Sequence, residues 1–260
     1  KEDQATGFAC MAALGAHKLN RPVRLILHRL DDMKMTGKRH PYSADFRIGL
    51  SKDLKILAYE VKMFQNAGAA ADLSPAILDR SLFHALNCYF IPHTKIMAYS
   101  CKTNLPPNTA FRGFGGPQGM FIIESAIAKA AHMLGVPAHR IQEANLLKEG
   151  DTFHYGQIAR GAHIGKAWQL ASERFQLSKL EEEVVSFNNQ HDIFRKGLAV
   201  MPICFGISFT NKSMNQARAL VHIYQDGSIG VSTGAVEMGQ GVNTKMQQVV
   251  SRVFSIRPER

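Results

Sequence analysis

Two stretches of this chain repeat apolar residues at helical spacing, and several shorter ones alternate apolar with polar. From Asp3 to Lys18, Phe8, Met11 and Ala12 fall on one side of a predicted helix, which Asn20-Arg21-Pro22 ends. Val23 to Leu27 reads as a strand running into the charged stretch Arg29 to Asp32. Ser43–Leu50 and Leu54–Phe64 read as two strands joined by a turn at Ser51-Lys52-Asp53. Asp72-Leu73-Ser74-Pro75 is a helix start, with proline in the first turn and Leu78, Leu82 and Phe83 along the body. Thr94–Ser100 is a further strand.

A long helix follows over Pro117–Leu134, with Met120, Ile123, Ile127 and Leu134 at helical spacing. Gly135-Val136-Pro137 stops it, and a short helix runs near Ile141–Leu147. Residues 163–190 read as two polar-faced helices. The rest is β-rich: a strand region over Leu198–Phe209, a hairpin of Ala219–Tyr224 and Ser228–Thr233 about Asp226-Gly227 with a type I′ signal, then a helix over Thr244–Phe254. The expected fold is α+β, with mixed sheets and packed helices. It divides into residues 1–160, a helical linker 161–194 and a second part 195–260. The chain also reads as a piece of something longer, because it opens inside a helix entry and stops before its last sheet is complete.

Composition narrows the function. The 260 residues are 45% hydrophobic, enough for a large core. No apolar run approaches the ~18 residues of a membrane span, and the polar opening Lys1-Glu2-Asp3-Gln4 is no signal peptide. The net charge of +10 is scattered. Its densest cluster, Lys34, Lys38 and Arg39, has no aromatic stripe beside it, so a solvated basic surface fits better than a nucleic-acid groove. The four cysteines form no C-x-x-C, which argues against a structural zinc or an iron–sulfur cluster and for reduced thiols in a cytoplasm.

Two glycine-rich stretches stand out: Ala110-Phe111-Arg112-Gly113-Phe114-Gly115-Gly116-Pro117-Gln118-Gly119 and Glu237-Met238-Gly239-Gln240-Gly241. Neither has Walker or dinucleotide-binding spacing. Each is either an ordinary turn or a place where backbone approaches an anionic or planar group, since glycine has no Cβ. A helix opening in the first loop would turn free N–H groups toward it, an anion cradle. Arg112 and Phe114 set a cation beside a ring. On residue type alone, Arg80 is a surface ion-pair residue, Phe209 core packing, Gln240 a helix cap, and His40 and His84 ordinary hydrogen-bonded residues.

The first loop, preceded by Cys101-Lys102-Thr103-Asn104-Leu105-Pro106, resembles the molybdopterin-binding region of the xanthine dehydrogenase family of molybdenum hydroxylases. Gly37-Lys38-Arg39-His40-Pro41, Phe205-Gly206-Ile207-Ser208-Phe209-Thr210 and Glu237-Met238-Gly239-Gln240-Gly241 follow the same family in the same order. The resemblance covers nearly the whole chain. It implies two molybdopterin-binding lobes, truncated at both ends, and hydroxylation of an electron-poor carbon of a purine or aldehyde. The molybdenum would be held by the pterin rather than by side chains, with FAD and 2Fe-2S clusters on other domains or subunits of a cytoplasmic, homo-oligomeric enzyme.

Carried over residue by residue, Phe111 and Arg112 line the molybdenum centre, and Met238, Gly239 and Gln240 contact the pterin and its phosphate. Phe114 and Phe209 sandwich the purine, Thr210 hydrogen-bonds it, Glu2 contacts its ring, and Arg80 holds the opposite carbonyl. Glu2 and Arg80 together imply hypoxanthine or xanthine as substrate; an aldehyde-preferring relative or a non-catalytic scaffold is the alternative. The family's general base lies beyond Arg260, so the isolated chain is expected to be inactive and to hold the pterin weakly or not at all.

Overall fold

The strongest alternation in the sequence builds the centre of the fold. The structure, a computed structural model, describes residues 4–259. In β2 (Ile56–Gly68), Tyr59, Val61, Met63, Gln65 and Ala67 point into the core, while Lys62 and Phe64 point out. β1 (Tyr42–Leu50) pairs antiparallel with β2, and β3 (His93–Lys102) lies parallel on its other side. The buried face of β2 packs with α4 (Gly116–Leu134) through Ile122, Ile123, Ala126 and Ile127. As expected from the pattern, α4 is a long helix whose Gly135 stop takes φ 66.

Two compact units divide the chain, residues 1–206 and 207–260. The first also carries α1 (Gln4–Leu19), α2 (Arg29–Met35), α3 (Ser74–Phe83), α5 (Ala138–Ala144), α6 (Ile164–Phe175) and α7 (Leu177–Gln190). The second contains a 3-10 turn at Lys212–Met214, the antiparallel hairpin β4 (Ala219–Ile223) and β5 (Ile229–Thr233), and α8 (Val242–Phe254). No described residue of the second unit is buried. This mixture of helices and small sheets is an α+β fold.

Four expectations need correction. Val23–Leu27 forms no strand, since no neighbour offers it an edge. The charges after it belong instead to α2, where the His28 Nδ1 accepts from the Leu30 amide, and Asp31 and Asp32 suit the positive end of the helix. The hairpin turn is not type I′, because Gly227 takes φ 79 but Asp226 does not enter the left-handed region. Its Oδ1 instead accepts from the Ser228 amide. α3 buries Ser74, Ile77, Arg80 and Ser81, with His84 just beyond, where residue type alone puts Arg80 at the surface.

The fourth correction concerns Leu198–Phe209, which is extended but pairs with no strand. Side chains take the place of a partner strand. Gln142 Nε2 donates to the Val200 carbonyl (2.8 Å), and Asn87 Nδ2 donates to that of Pro202 (2.7 Å). Asn87 Oδ1 accepts from the Cys204 amide at 3.2 Å. The Gly206 amide donates to His84 Nε2 at 3.0 Å, and Arg80 Nη1 donates to the Gly206 carbonyl. The rungs fall on every second residue, the period of an extended chain, and Pro202 has no N–H to give a ladder of backbone bonds.

One carboxylate orients the rungs. Glu124 on α4 accepts from Asn87 Nδ2 (2.9 Å), the Tyr89 hydroxyl (2.7 Å) and Gln142 Nε2 (2.7 Å). Each amide therefore turns its other hydrogen toward the extended segment. Asn87 and Tyr89 share one carboxylate oxygen and Gln142 takes the other, so in either orientation Glu124→Gln would set an NH2 against at least one of these donors. We expect it to destabilise the protein by about 2 kcal/mol or more, read from a denaturant midpoint. An unchanged midpoint would show that the hub does not order the ladder.

Candidate functional site

The first glycine loop is shaped by what it packs against. Gly113, Phe114 and Gly115 take φ 95, 48 and 98 in succession, reversing the chain into α4. A Cβ on Gly115 would lie 2.1 Å from the Ile77 carbonyl oxygen, and one on Gly119 would lie 2.6 Å from that of Ser81. A Cβ on Gly116 would meet the Phe205 ring at 2.6 Å. These glycines let α4 lie directly on α3. The expected cradle of free amides is largely closed, because the Phe114 and Gly116 amides donate to the carbonyls of Phe111 and Gly113, and Pro117 has none.

Arg80 sits on the buried side of α3, 5% exposed, and not on the surface as its residue type suggests. Its Cζ lies 5.8 Å from the Phe114 ring centroid and 5.3 Å from that of Phe205. Burial lowers its pKa, although guanidinium remains charged. His84, one turn on, bonds the Arg80 carbonyl through Nδ1 (2.8 Å) and lies tilted against the Phe205 ring, centroids 4.9 Å apart. Because Nε2 accepts from Gly206, Nδ1 must carry the proton, and the ring is neutral. Ser81 ties the same helix to the loop: its hydroxyl is 2.9 Å from the Gly115 carbonyl and 2.8 Å from the Tyr42 hydroxyl.

Other predicted residues fall near the loop or in the second unit. The Arg39 guanidinium lies 5.6 Å from the Phe111 ring centroid, and its Nη2 donates to the Arg112 carbonyl at 2.7 Å. Lys38 Nζ binds the carbonyls of Asp32 and Thr36 at 2.8 and 2.9 Å. Part of the cluster expected to be a solvated surface thus braces the loop. A cleft of about 480 Å³ between β1 and the first turns of α4 is lined by Arg39, Tyr42, Phe46, Gln118 and Phe121, but neither Arg80 nor Phe114 lines it.

In the second unit the Asn215 side chain grips Phe209, accepting from its amide (2.7 Å) and donating to its carbonyl (2.8 Å). Thr210 follows it, half-buried. In the second glycine loop, the Glu237 carboxylate accepts from the amides of Gly239 (2.7 Å), Gly241 (3.0 Å) and Asn243 (3.4 Å). Desolvation is the largest single influence and raises its pKa, but the amides of Gly241, Gly239, Asn243 and Val242 together win and hold it below the usual carboxylate range. Gln240 folds back, accepting from the Met238 amide (2.6 Å) and donating to the Val236 carbonyl (2.7 Å). This loop therefore gathers amides around a negative charge, here its own.

Arg80 lies against the Phe114 ring, Phe209 and Thr210 belong to the second unit, and Glu2 lies outside the described residues. Sequence reasoning assigned no role to Phe205, Gly206 and Asn215, although the first two sit inside a quoted motif, and it read His84, one helical turn after Arg80, as an ordinary hydrogen-bonded residue. Among the described residues no group of three or more His, Cys, Asp or Glu is placed to hold a metal ion. No single described helix is long and apolar enough to cross a membrane.

With this geometry established, the comparisons identify the class. Residues 1–146 and 170–260 each match a molybdopterin cofactor-binding domain, and the chain belongs to that family. It is 45% identical over 258 residues to "Xanthine dehydrogenase/oxidase" of Felis catus and 41% identical over 256 residues to "Xanthine dehydrogenase" of Dictyostelium discoideum. Each alignment covers 98% of this chain but 19% of the relative, so the chain spans about a fifth of their length. The same fold occurs in the aldehyde oxidoreductase from Desulfovibrio gigas (TM-score 0.70, 21% identity, 96% of this chain and 27% of that one). It also occurs in quinoline 2-oxidoreductase from Pseudomonas putida 86 (TM-score 0.70, 20% identity, 94% and 32%).

Two predictions follow from the packing around α3. Gly119→Ala should destabilise the protein by roughly 1–3 kcal/mol, since backbone faces it at 2.6 Å. Gly165→Ala in α6, with nothing within 4 Å, should be neutral or slightly stabilising. Equal thermal shifts would contradict the close packing.

Burial also keeps three imidazoles around α3 neutral. His40, bonded to Ser74 (2.7 Å), has its pKa lowered to about 4, mainly by burial and against the pull of Asp72. His84 and His154 are lowered too, chiefly by burial. Below pH 6.5 the unfolded chain takes up protons that the folded one refuses. Stability should therefore be full above that pH and fall toward pH 4, less steeply in His40→Gln. Urea midpoints that stay flat from pH 7.5 to 5 would contradict this.

Proposed function

We propose that the chain is part of a molybdenum-dependent oxidoreductase of the xanthine dehydrogenase type, in which it holds molybdopterin and orients hypoxanthine or xanthine. The observation that carries this reading is Arg80: a guanidinium removed from water and set against the Phe114 ring, in a chain 45% identical to a xanthine dehydrogenase/oxidase. The residues fit the cofactor. The second glycine loop already gathers amides around a carboxylate, the donor set that a phosphate needs. Phe111 and Arg112 would border the molybdenum, and Met238, Gly239 and Gln240 would hold the pterin and its phosphate. When bound, that group supplies the redox chemistry of hydroxylation.

This chain's residues do the binding and the electrostatics. Phe114 and Phe209 are the rings that fix a flat heterocycle against rotation. Thr210 offers it a hydroxyl, and Glu2 accepts from or donates to a ring nitrogen. Arg80 faces the opposite carbonyl. Charge pushed into the ring during attack is stabilised best by a fixed cation in a dry site, and burial between ring faces supplies both conditions. The remaining four-fifths of a relative's length leaves room for the general base and for FAD and 2Fe-2S domains or subunits. On this reading the 260 residues alone are inactive, and the whole protein is a cytoplasmic homo-oligomer.

Arg80→Met in the whole protein tests the assignment. The loss of one fixed charge facing the transition state should lower purine kcat/KM by about 10²–10³-fold and leave small aldehydes within a few-fold. Equal losses on purine and aldehyde would defeat the purine reading.

A further inference from the structure

His84 is not among the residues that the family resemblance assigns a role, yet it holds both ends of the contact that fixes Arg80. Its Nδ1–H donates to the Arg80 carbonyl, and its Nε2 accepts from the Gly206 amide. The Gly206 carbonyl in turn accepts from Arg80 Nη1. Arg80, His84 and Gly206 thus close a ring of three hydrogen bonds in which every group is main chain of one partner or side chain of the next. The imidazole is 7% exposed, and Phe205 lies tilted against it at 4.9 Å. Gly206 also packs on the imidazole, with a Cβ there 3.8 Å from the ring.

The two bonds of His84 have different consequences. The bond to Arg80 O adds a second donor to a carbonyl that the His84 backbone amide already bonds at 3.1 Å, a local task at the C-terminal turn of α3 that any donor at that reach performs. The bond to Gly206 N fixes the peptide that enters Gly206, and the carbonyl that leaves the same residue is the acceptor for the guanidinium. Glycine turns freely about its Cα, so without that bond the residue loses one of the two contacts that place its backbone, and the carbonyl that aims Nη1 can swing away. We propose that His84 is a positioning residue for Arg80, acting through the backbone of Gly206. The inference rests on the reading of Arg80 as the cation that faces the substrate.

Two variants separate the bonds. In His84→Asn the side-chain amide stands where Nδ1–H was, keeping the donor to Arg80 O but not reaching Gly206. In His84→Gln the longer chain carries an acceptor to Gly206 N. Both are made in the whole protein, alone and with Arg80→Met, and assayed with xanthine and with a small aldehyde alongside molybdenum content. We expect His84→Asn to lower xanthine kcat/KM about tenfold, mostly in kcat, at unchanged aldehyde turnover. His84→Gln should stay within about threefold of the parent. In the Arg80→Met background His84→Asn should change xanthine turnover by less than twofold, because no guanidinium is left to aim.

The proposal is overturned if His84→Asn and His84→Gln lose xanthine turnover equally at normal molybdenum content, or if the His84→Asn loss persists in full on Arg80→Met. If His84→Asn does not accumulate, His84→Gln decides alone: a tenfold loss of xanthine turnover at normal aldehyde turnover overturns the proposal. Failure of the purine reading has a different signature, an Arg80→Met variant that loses both substrates together.

Discussion

An extended segment with no strand beside it is held in place by side chains, and the site's charge is placed by the last rung of that ladder. Gln142 reaches residue 200, Asn87 reaches residues 202 and 204, and His84 and Arg80 both reach residue 206. The intervening Met201 and Ile203 are exposed, whereas the Phe205 ring lies against His84 and Arg80. In a sheet, such a segment would borrow its order from a whole neighbouring strand. Here each bond comes from a different point on α3, α5 or the loop after α3, so the segment is only as ordered as those side chains. Glu124 supplies that order by fixing which hydrogen each amide turns outward.

Helix α3 is the pivot of this arrangement. Its buried stripe is polar, and each polar group has a partner drawn from another part of the chain: His40 on Ser74, Gly115 and Tyr42 on Ser81, Gly206 on Arg80. Glycines at 115 and 119 let α4 approach until backbone nearly meets backbone. The close approach seals Arg80 between ring faces. Low solvent access strengthens any interaction the guanidinium makes with charge developing nearby. The stability of the helix pair and the electrostatics of the site therefore have one origin.

The long periodic segments were legible in the sequence. α4, β1 and β2 each repeat an unambiguous pattern, and the glycine loops were recognisable as special. The physical role of the first loop was not legible, because a glycine that admits a ligand and one that admits a helix read alike. α3 was placed correctly, but residue type puts Arg80 at the surface, whereas the hydrogen-bonded polar stripe of Ser74, Arg80 and Ser81 goes inside. Leu198–Phe209 carries a strand's alternation, and composition does not say whether backbone or side chains will answer it. Pro202 was the available hint. Arg80 and Phe114 were found by resemblance, while their partners His84 and Gly206 emerge only from the folded geometry.

Amide hydrogen exchange at Cys204 and Gly206 in the whole protein tests the ladder most directly. Both amides lie outside any helix or strand, and each donates to a side chain that is itself anchored. The account predicts slow exchange at both, lost at Cys204 when Glu124 is replaced by Gln and at Gly206 when His84 is replaced by Asn. Exchange at the rate of an open loop in the unmodified protein would contradict it.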